Sequence, residues 1–336
     1  MSAPSSSAVS IAEDGAVRAE APGKVNLHFQ VGPRRDDGYH AVASLYAAVD
    51  VLEAVELAVE PQLAPGTIEC ALQVVPGSLV AQQQAAGAFD PALVPLDERN
   101  LAVRAARAVL AQAPELSGGL RLRIDKAVPV AGGMGGGSAD AAAALLAAAE
   151  LVARETGQRI PRDQLLALAE KLGADVPFAL TGGAAVGTGT GAQLRPVPVG
   201  RPWSGVLVAD AGALSTPQVF ATLDRLRAEG ELPQRQEDRL AVPDELLRAL
   251  ADEHGHAGAA QMCNDLQSPA LAMSPELRGR LEDLEAGGAR ALISGSGPTI
   301  IALPQPAQGS DGGEAARALA ESLRGRGLCA VSCAIG

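Results

Sequence analysis

Apolar residues along this chain switch repeatedly between the two-residue period of a strand and the wider spacing of a helix, which predicts a mixed α and β protein throughout. Val17–Glu20 and Val25–Val31 read as short strands, and Val51–Val59 as a third. Leu101–Ala111 has helical spacing behind two candidate caps, Asp97 and Asn100. Leu120–Ile124 alternates Leu-Arg-Leu-Arg-Ile, the pattern of a half-exposed strand. It leads through Asp125, Lys126 and Pro129 into a glycine-rich loop and then a strongly helical Ala/Leu run. Arg162–Leu172 is a further helix, and the Gly/Thr-rich stretch Gly182–Gly191 suggests a turn near a domain junction. The pattern restarts with a strand at Gly205–Ala209, helices around 217–228 and 243–252, and a last strand near Leu328–Ala334. The segment 61–99, rich in Pro, Gly and Gln, predicts a loop excursion.

At 336 residues the chain is long enough for two domains of ~150 residues each. We expect an N-terminal domain over 17–190 and a C-terminal domain over 191–336, behind a disordered tail at 1–16. That tail carries no basic or apolar region of a signal peptide. Aromatics are only 2% of the chain, so the core must be built from Ala, Val and Leu, and any aromatic beside a polar motif is informative. The net charge of −12 argues against a nucleic-acid or anionic-membrane partner, which needs a basic face. It leaves room for a small polyanion held by backbone N–H groups. The richest apolar run, Ala141–Ala149, ends at Glu150 and is too short to span a bilayer. Cys329 and Cys333 would lie ~13 Å apart on a strand, too far to bridge. With Cys70 and Cys263 they read as free thiols of a reducing cytoplasm.

The most specific local feature is Pro129-Val130-Ala131-Gly132-Gly133-Met134-Gly135-Gly136-Gly137-Ser138-Ala139-Asp140. Glycines let a backbone curl around an anion, and the helix that follows supplies unpaired N–H groups and the positive end of its dipole. Ser138 is a candidate cap for that helix or a hydroxyl ligand for a metal. The loop lacks the Gly-Lys-Ser/Thr ending of a P-loop, and the third glycine of a G-x-G-x-x-G fingerprint would fall on Ser138. Five glycines in six residues between well-formed elements argue against a plain surface turn.

Two further clusters accompany it. Ala21-Pro22-Gly23-Lys24-Val25-Asn26-Leu27 is followed by Asp37-Gly38-Tyr39-His40, and Ile293-Ser294-Gly295-Ser296-Gly297-Pro298-Thr299 lies near the C-terminus. Three such motifs in this order resemble the GHMP small-molecule kinases. Within that family the likeness is to the branch whose acceptor is a cytidine diphosphate-linked methylerythritol. Arg99-Asn100-Leu101, Ile124-Asp125-Lys126, Leu172-Gly173-Ala174-Asp175-Val176-Pro177 and Asn264-Asp265-Leu266 agree with it as well, so the resemblance runs from about residue 21 to 300.

The resemblance implies a two-domain α+β fold, with an N-terminal domain like domain 2 of ribosomal protein S5 and a ferredoxin-like C-terminal domain. It implies ATP and Mg²⁺ as cofactors, and transfer of the γ-phosphoryl group to the acceptor's 2-hydroxyl in non-mevalonate isoprenoid synthesis. Asp175 would be the general base and Lys24 its partner. The loop from Pro129 to Ala139, with Asn100 and Lys126, would hold ATP, and Ser138 would touch Mg²⁺. Asn26, Tyr39, His40, Thr216 and Phe220 would bind the acceptor, with the Tyr39 and Phe220 rings stacking on cytosine.

Blander readings stand beside these roles. Asp175 also reads as a turn aspartate before Val-Pro, Asn100 as a bare helix cap, Lys126 as a surface turn lysine and Phe220 as core. Two departures from the family pattern are Ala139, where a second serine is usual, and Met134, where a leucine is. The backbone N–H of Ala139 would still be available to a phosphate. The region 229–262, with His254 and His256, matches no motif, and two histidines without further ligands at zinc spacing predict no metal site. The rival functions are kinases of homoserine, mevalonate or a sugar, a non-catalytic nucleotide-binding relative, and a dinucleotide oxidoreductase, which the glycine spacing disfavours.

Overall fold

The computed structural model describes residues 8–113, 116–209, 212, 214–252, 256–305 and 312–336, with the side chains of 256 and 257 excepted. The chain opens with β1 (Val9–Ile11), β2 (Val17–Arg34), β3 (His40–Glu60) and β4 (Ile68–Val74). Helices α1 (Leu79–Ala85) and α2 (Leu101–Leu110) lead to β5 (Gly119–Lys126), followed by α3 (Gly136–Thr156), α4 (Arg162–Leu172) and α5 (Val176–Thr181). A hairpin of β6 (Ala184–Thr188) and β7 (Gln193–Val197) precedes β8 (Trp203–Ala209), α6 (Thr216–Ala228) and α7 (Asp244–Ala251). The rest is β9 (Cys263–Asn264), α8 (Gln267–Met273), α9 (Pro275–Ala286), β10 (Ala289–Ile293), β11 (Ile300–Pro304), α10 (Gly312–Gly325) and β12 (Cys329–Ile335).

Strand β3 is the spine of the molecule. One edge carries β2 in antiparallel register from Val17↔Leu57 to Arg34↔His40. The other edge is shared in series by β6 opposite 44–47, by Ile335 of β12 opposite Val49, and by β5 opposite 54–60. Beyond that joint, β12, β8, β11 and β10 form an antiparallel sheet in that order. Numbered among themselves these strands run 4-1-3-2, the order of a ferredoxin-like split βαβ unit. Helices α6, α8, α9 and α10 supply core residues to one face of this sheet.

Helix α3 is long and apolar enough to cross a membrane, yet 72% of its most apolar window is buried inside the protein. Its run of alanines lets α2, α5 and the β2–β3 ribbon approach closely, so it is a core helix and not a span.

Several expectations need correction. Val9–Ile11 belong to the expected tail but pair with Val17–Ala19, so part of it is an edge strand. The strands expected at 17–20 and 25–31 are one strand, because the chain passes Pro22-Gly23 through a register shift without leaving the ladder. The supposed loop excursion holds β4, paired in parallel with β5, and α1 capped by Ser78. Gly182–Gly191 includes strand β6 rather than being a turn, because its small residues fit flat against Tyr46 and Ala47 of β3. In the unassigned region 229–262, Leu246 and Leu250 of α7 are fully buried in the core between the two sheets. His254 and the side chain of His256 lie outside the described residues. No disulfide joins any two of the four cysteines.

Ile335 is fully buried and faces both Trp203 of β8 and Val49 of β3, at the joint between the sheets. Ile335→Ala should cost about 2–5 kcal/mol through the cavity it leaves, read as a lower urea midpoint. An unchanged midpoint would show that the joint does not depend on this side chain.

Candidate active site

The site begins with an irregularity in β2. The register of β2 on β3 shifts between Pro22 and Lys24; Lys24 pairs with Ala48 across the ladder, and its amide points the other way, donating to the Met134 carbonyl of the glycine loop at 2.9 Å. The Lys24 ammonium donates to Asn26 Oδ1 at 2.8 Å, and Asn26 is fixed in turn by donating from Nδ2 to Ser44 Oγ at 2.7 Å. Lys24 Nζ also lies 5.6 Å from the centre of the buried Tyr46 ring. Asp175 sits at the N-terminal cap position of α5, but its carboxylate makes no capping hydrogen bond. It lies 3.7 Å from Lys24 Nζ, partly open to the cleft. The pair is therefore made by the tertiary fold rather than by helix capping.

The glycine loop meets this pair at the start of α3. Gly135 precedes the helix in the left-handed conformation, at φ 68°. A Cβ there would come within 3.3 Å of Lys24 Cγ and 3.6 Å of Asp175 Oδ2, so helix terminus and ion pair are in contact distance. Ala139 N bonds to Gly135 O at 2.9 Å, which begins the helical ladder. The N–H groups of Gly136, Gly137 and Ser138 precede that bond, have no intrahelical acceptor, and belong to residues lining the cleft. They form an anion cradle at the positive end of a 21-residue helix dipole.

The third motif holds the loop in place. Ser294 donates from Oγ to the Gly133 carbonyl at 3.1 Å, and Thr299 N approaches Gly132 O at 3.3 Å. Gly133 has φ 77°, and a Cβ on it would lie 2.2 Å from Ser294 O, so only glycine fits between the two turns.

A continuous cleft of about 1020 Å³ runs from the cradle to the tip of the β2–β3 hairpin. Pro129, Ala131, Gly132, Gly133 and Gly135 to Ser138 line one end with Lys24, Asn26 and Asp175. Tyr39, His40, Thr216 and Phe220 line the other. Tyr39 is 65% exposed at the hairpin tip. The His40 and Phe220 rings are 5.1 Å apart and tilted by 35°. Phe220 lines the cleft and also packs on the core of the second sheet. Thr216 Oγ1 lies 2.8 Å from Ser296 Oγ, which links α6 to the third motif.

Other expected site residues lie elsewhere. Val130 is exposed outside the cleft, and the Met134 and Ala139 side chains are fully buried in the core. The Ala139 N–H is taken by Gly135 O and is not free for a phosphate. Ser138 does not cap α3, because it stands inside the first turn and Gly135 occupies the cap position. Asn100 caps α2, accepting from Ala102 N at 2.8 Å and donating to Pro95 O at 2.8 Å, and does not line the cleft.

Lys126 is 2% exposed beneath the loop, and its ammonium is held 2.6 Å from both Glu53 Oε1 and Asp140 Oδ2. Glu53 also accepts from Ala127 N at 2.9 Å and Val128 N at 3.2 Å, which fixes the entry to the loop. Burial, and then the Asp140 charge, push Glu53 up to about 8 against the pull of Lys126. Burial raises Asp140 too, while Lys126 is raised because the two carboxylates outweigh its own desolvation. Lys126 thus supports the loop from below and does not line the cleft.

Residues that sequence reasoning passed over include Asp224, one helical turn beyond Phe220, and Arg34, the cross-strand partner of His40. Both line the cleft, and their spacing to Phe220 and His40 was the available signal. Lys126→Met would leave two buried carboxylates without their cation, so it should cost about 3–5 kcal/mol in urea unfolding. A variant as stable as the parent would show that the triad is not a structural support.

The chain matches the GHMP kinases N terminal domain over residues 100–183 and the GHMP kinases C terminal domain over 244–325. It is 45% identical over 318 residues to the 4-diphosphocytidyl-2-C-methyl-D-erythritol kinase of Arthrobacter sp. (strain FB24), covering 94% of this chain and 91% of that one. A crystal structure of 4-(cytidine 5'-diphospho)-2C-methyl-D-erythritol kinase superposes with a TM-score of 0.69 at 32% identity, over 95% of this chain and 99% of the other. The L. major mevalonate kinase, solved with R-mevalonate, shares the fold alone, with a TM-score of 0.64 at 19% identity and 94% of each chain covered. The chain belongs to the GHMP kinase family, in the company of the 4-diphosphocytidyl-2-C-methyl-D-erythritol kinases.

Proposed function

We propose that the protein transfers the γ-phosphoryl group of ATP to the 2-hydroxyl of 4-diphosphocytidyl-2-C-methyl-D-erythritol, a step in non-mevalonate isoprenoid precursor synthesis in the cytoplasm. The observation that carries this reading is the contact between the Lys24–Asp175 pair and the N-terminus of α3, at one end of a cleft whose other end is aromatic. The kinase relatives at 45% and 32% identity support the choice of acceptor.

Phosphoryl transfer asks the protein for positioning and for charge stabilisation. The unpaired N–H groups of Gly136 to Ser138 hold the polyphosphate and point the γ-phosphorus towards Asp175. The acceptor oxygen attacks that phosphorus, the bond to the β,γ-bridging oxygen breaks, and ADP departs. The hydroxyl proton passes to the Asp175 carboxylate. Lys24, held by Asn26, offsets the negative charge that moves from the hydroxyl to the transferred group.

Among the described residues no cluster of three His, Cys, Asp or Glu could hold a metal ion. Mg²⁺ bound largely by phosphate oxygens and water needs only one or two protein oxygens, and the cleft supplies these in Ser138 and Asp175. When bound, the ion would neutralise phosphate charge. At the far end, Tyr39 and Phe220 would stack on the cytosine, with His40 at its polar edge and Thr216 close by.

ADP release from Mg-ATP should occur with 4-diphosphocytidyl-2-C-methyl-D-erythritol and not with homoserine, mevalonate or galactose. Asp175→Asn and Lys24→Met should each lower kcat roughly a hundredfold or more. Undiminished turnover in either variant would sink the assignment, and turnover with another acceptor would overturn the choice of substrate. Loss of a stacking ring is worth ~1–3 kcal/mol, so Tyr39→Ala should raise the KM for the cytidylyl acceptor about tenfold. An unchanged KM would remove Tyr39 from the base site.

A further inference from the structure

Thr216, Phe220 and Asp224 stand at successive four-residue spacings on α6, so one stripe of that helix faces the recognition end of the cleft. Opposite it, His40 is the first residue of β3 and is 7% exposed. Its Nε2 lies 2.8 Å from Asp224 Oδ1, while its ring rests against Phe220. Among the described residues its Nδ1 has no hydrogen-bond partner, and that atom is not sealed from solvent. The imidazole is therefore anchored at one nitrogen and open at the other.

A carboxylate offers only acceptors, so the His40–Asp224 bond requires the imidazole proton to reside on Nε2. A neutral ring with its proton there presents Nδ1 as a lone pair. That lone pair can accept from an N–H group but repels a carbonyl oxygen. Cytosine and uracil differ at this point, since cytosine carries an exocyclic amine where uracil carries a carbonyl.

We propose that Asp224 is a positioning residue for base specificity: it holds the His40 proton on Nε2, so that Nδ1 accepts from the cytosine amine and rejects uracil. The inference rests on the cytidylyl acceptor of the preceding section. Asp224 itself touches no reacting atom and acts only through His40. Without its carboxylate, His40 takes either tautomer, and the tautomer protonated on Nδ1 welcomes the uracil carbonyl.

The test compares the cytidine and uridine forms of the diphosphate-linked methylerythritol as acceptors. The unmodified enzyme should prefer the cytidine form by about a hundredfold, since a site built to bond one polar group leaves its own groups unpaired against the other. Asp224→Asn and Asp224→Ala should reduce this preference by about tenfold or more, mainly through KM rather than kcat. A preference that survives in both variants would leave Asp224 as a mere tie between hairpin and helix, and overturn the proposal while the base site stands. An unmodified enzyme indifferent to the base would instead overturn the cytidylyl reading itself. Should neither variant fold, ¹⁵N-histidine spectra of the unmodified protein, assigned with His40→Gln, decide the matter. His40 protonated on Nε2 supports the proposal, and His40 protonated on Nδ1 refutes it.

Discussion

Everything at the reacting end depends on keeping the first turn of α3 open, with its N–H groups unpaired and turned to the cleft. Left alone, such groups would be satisfied by water or by the loop folding back on them. Positive φ at Ala131, Gly133 and Gly135 gives the loop a shape that it would not hold by local preference. Three clamps from distant parts of the chain impose it. The Lys24 amide holds Met134 from the N-terminal strand, Ser294 and Thr299 hold Gly132 and Gly133 from the C-terminal motif, and the Glu53–Lys126–Asp140 triad fixes the entry from below. The anion cradle is thus complete only when the two sheets have come together around β3.

The same clamps account for the Lys24–Asp175 pair. Lys24 lies just past a register shift in β2, with its amide bonded to the loop at Met134 and its ammonium 3.7 Å from Asp175. One residue therefore serves two purposes, its backbone anchoring the loop and its side chain placing the ammonium beside it. Asn26 and Ser44 then restrict the ammonium to a narrow range of positions, the rigid support that charge stabilisation requires.

The recognition end is built on a different principle. It consists of a hairpin tip and one stripe of α6, and it is more exposed than the cradle. It touches the clamps of the loop through Thr216, whose Oγ1 lies 2.8 Å from Ser296 Oγ.

Much of the reacting end was legible in the sequence, because backbone geometry that only glycine tolerates has to be written as glycine. The run from Gly132 to Gly137, the strand before it and the Ala-rich helix after it announce a phosphate cradle by local rules alone. Alternation in Leu120–Ile124 and the spacing of Arg162–Leu172 likewise identified β5 and α4 from side-chain period. What local rules could not decide was the partner of each charge. Lys126 reads as a surface lysine until Glu53 and Asp140 are found around it, and Asn100 reads as a ligand or a cap with equal ease. Asp224 carries no motif at all and gains meaning only from the imidazole 2.8 Å away. Conformation is set by neighbours in the chain, and the sequence by itself determined that much. Burial and charge pairing are set by neighbours in space, often more than a hundred residues apart, so the tertiary structure alone decided which polar groups line the cleft and which are buried to hold it together.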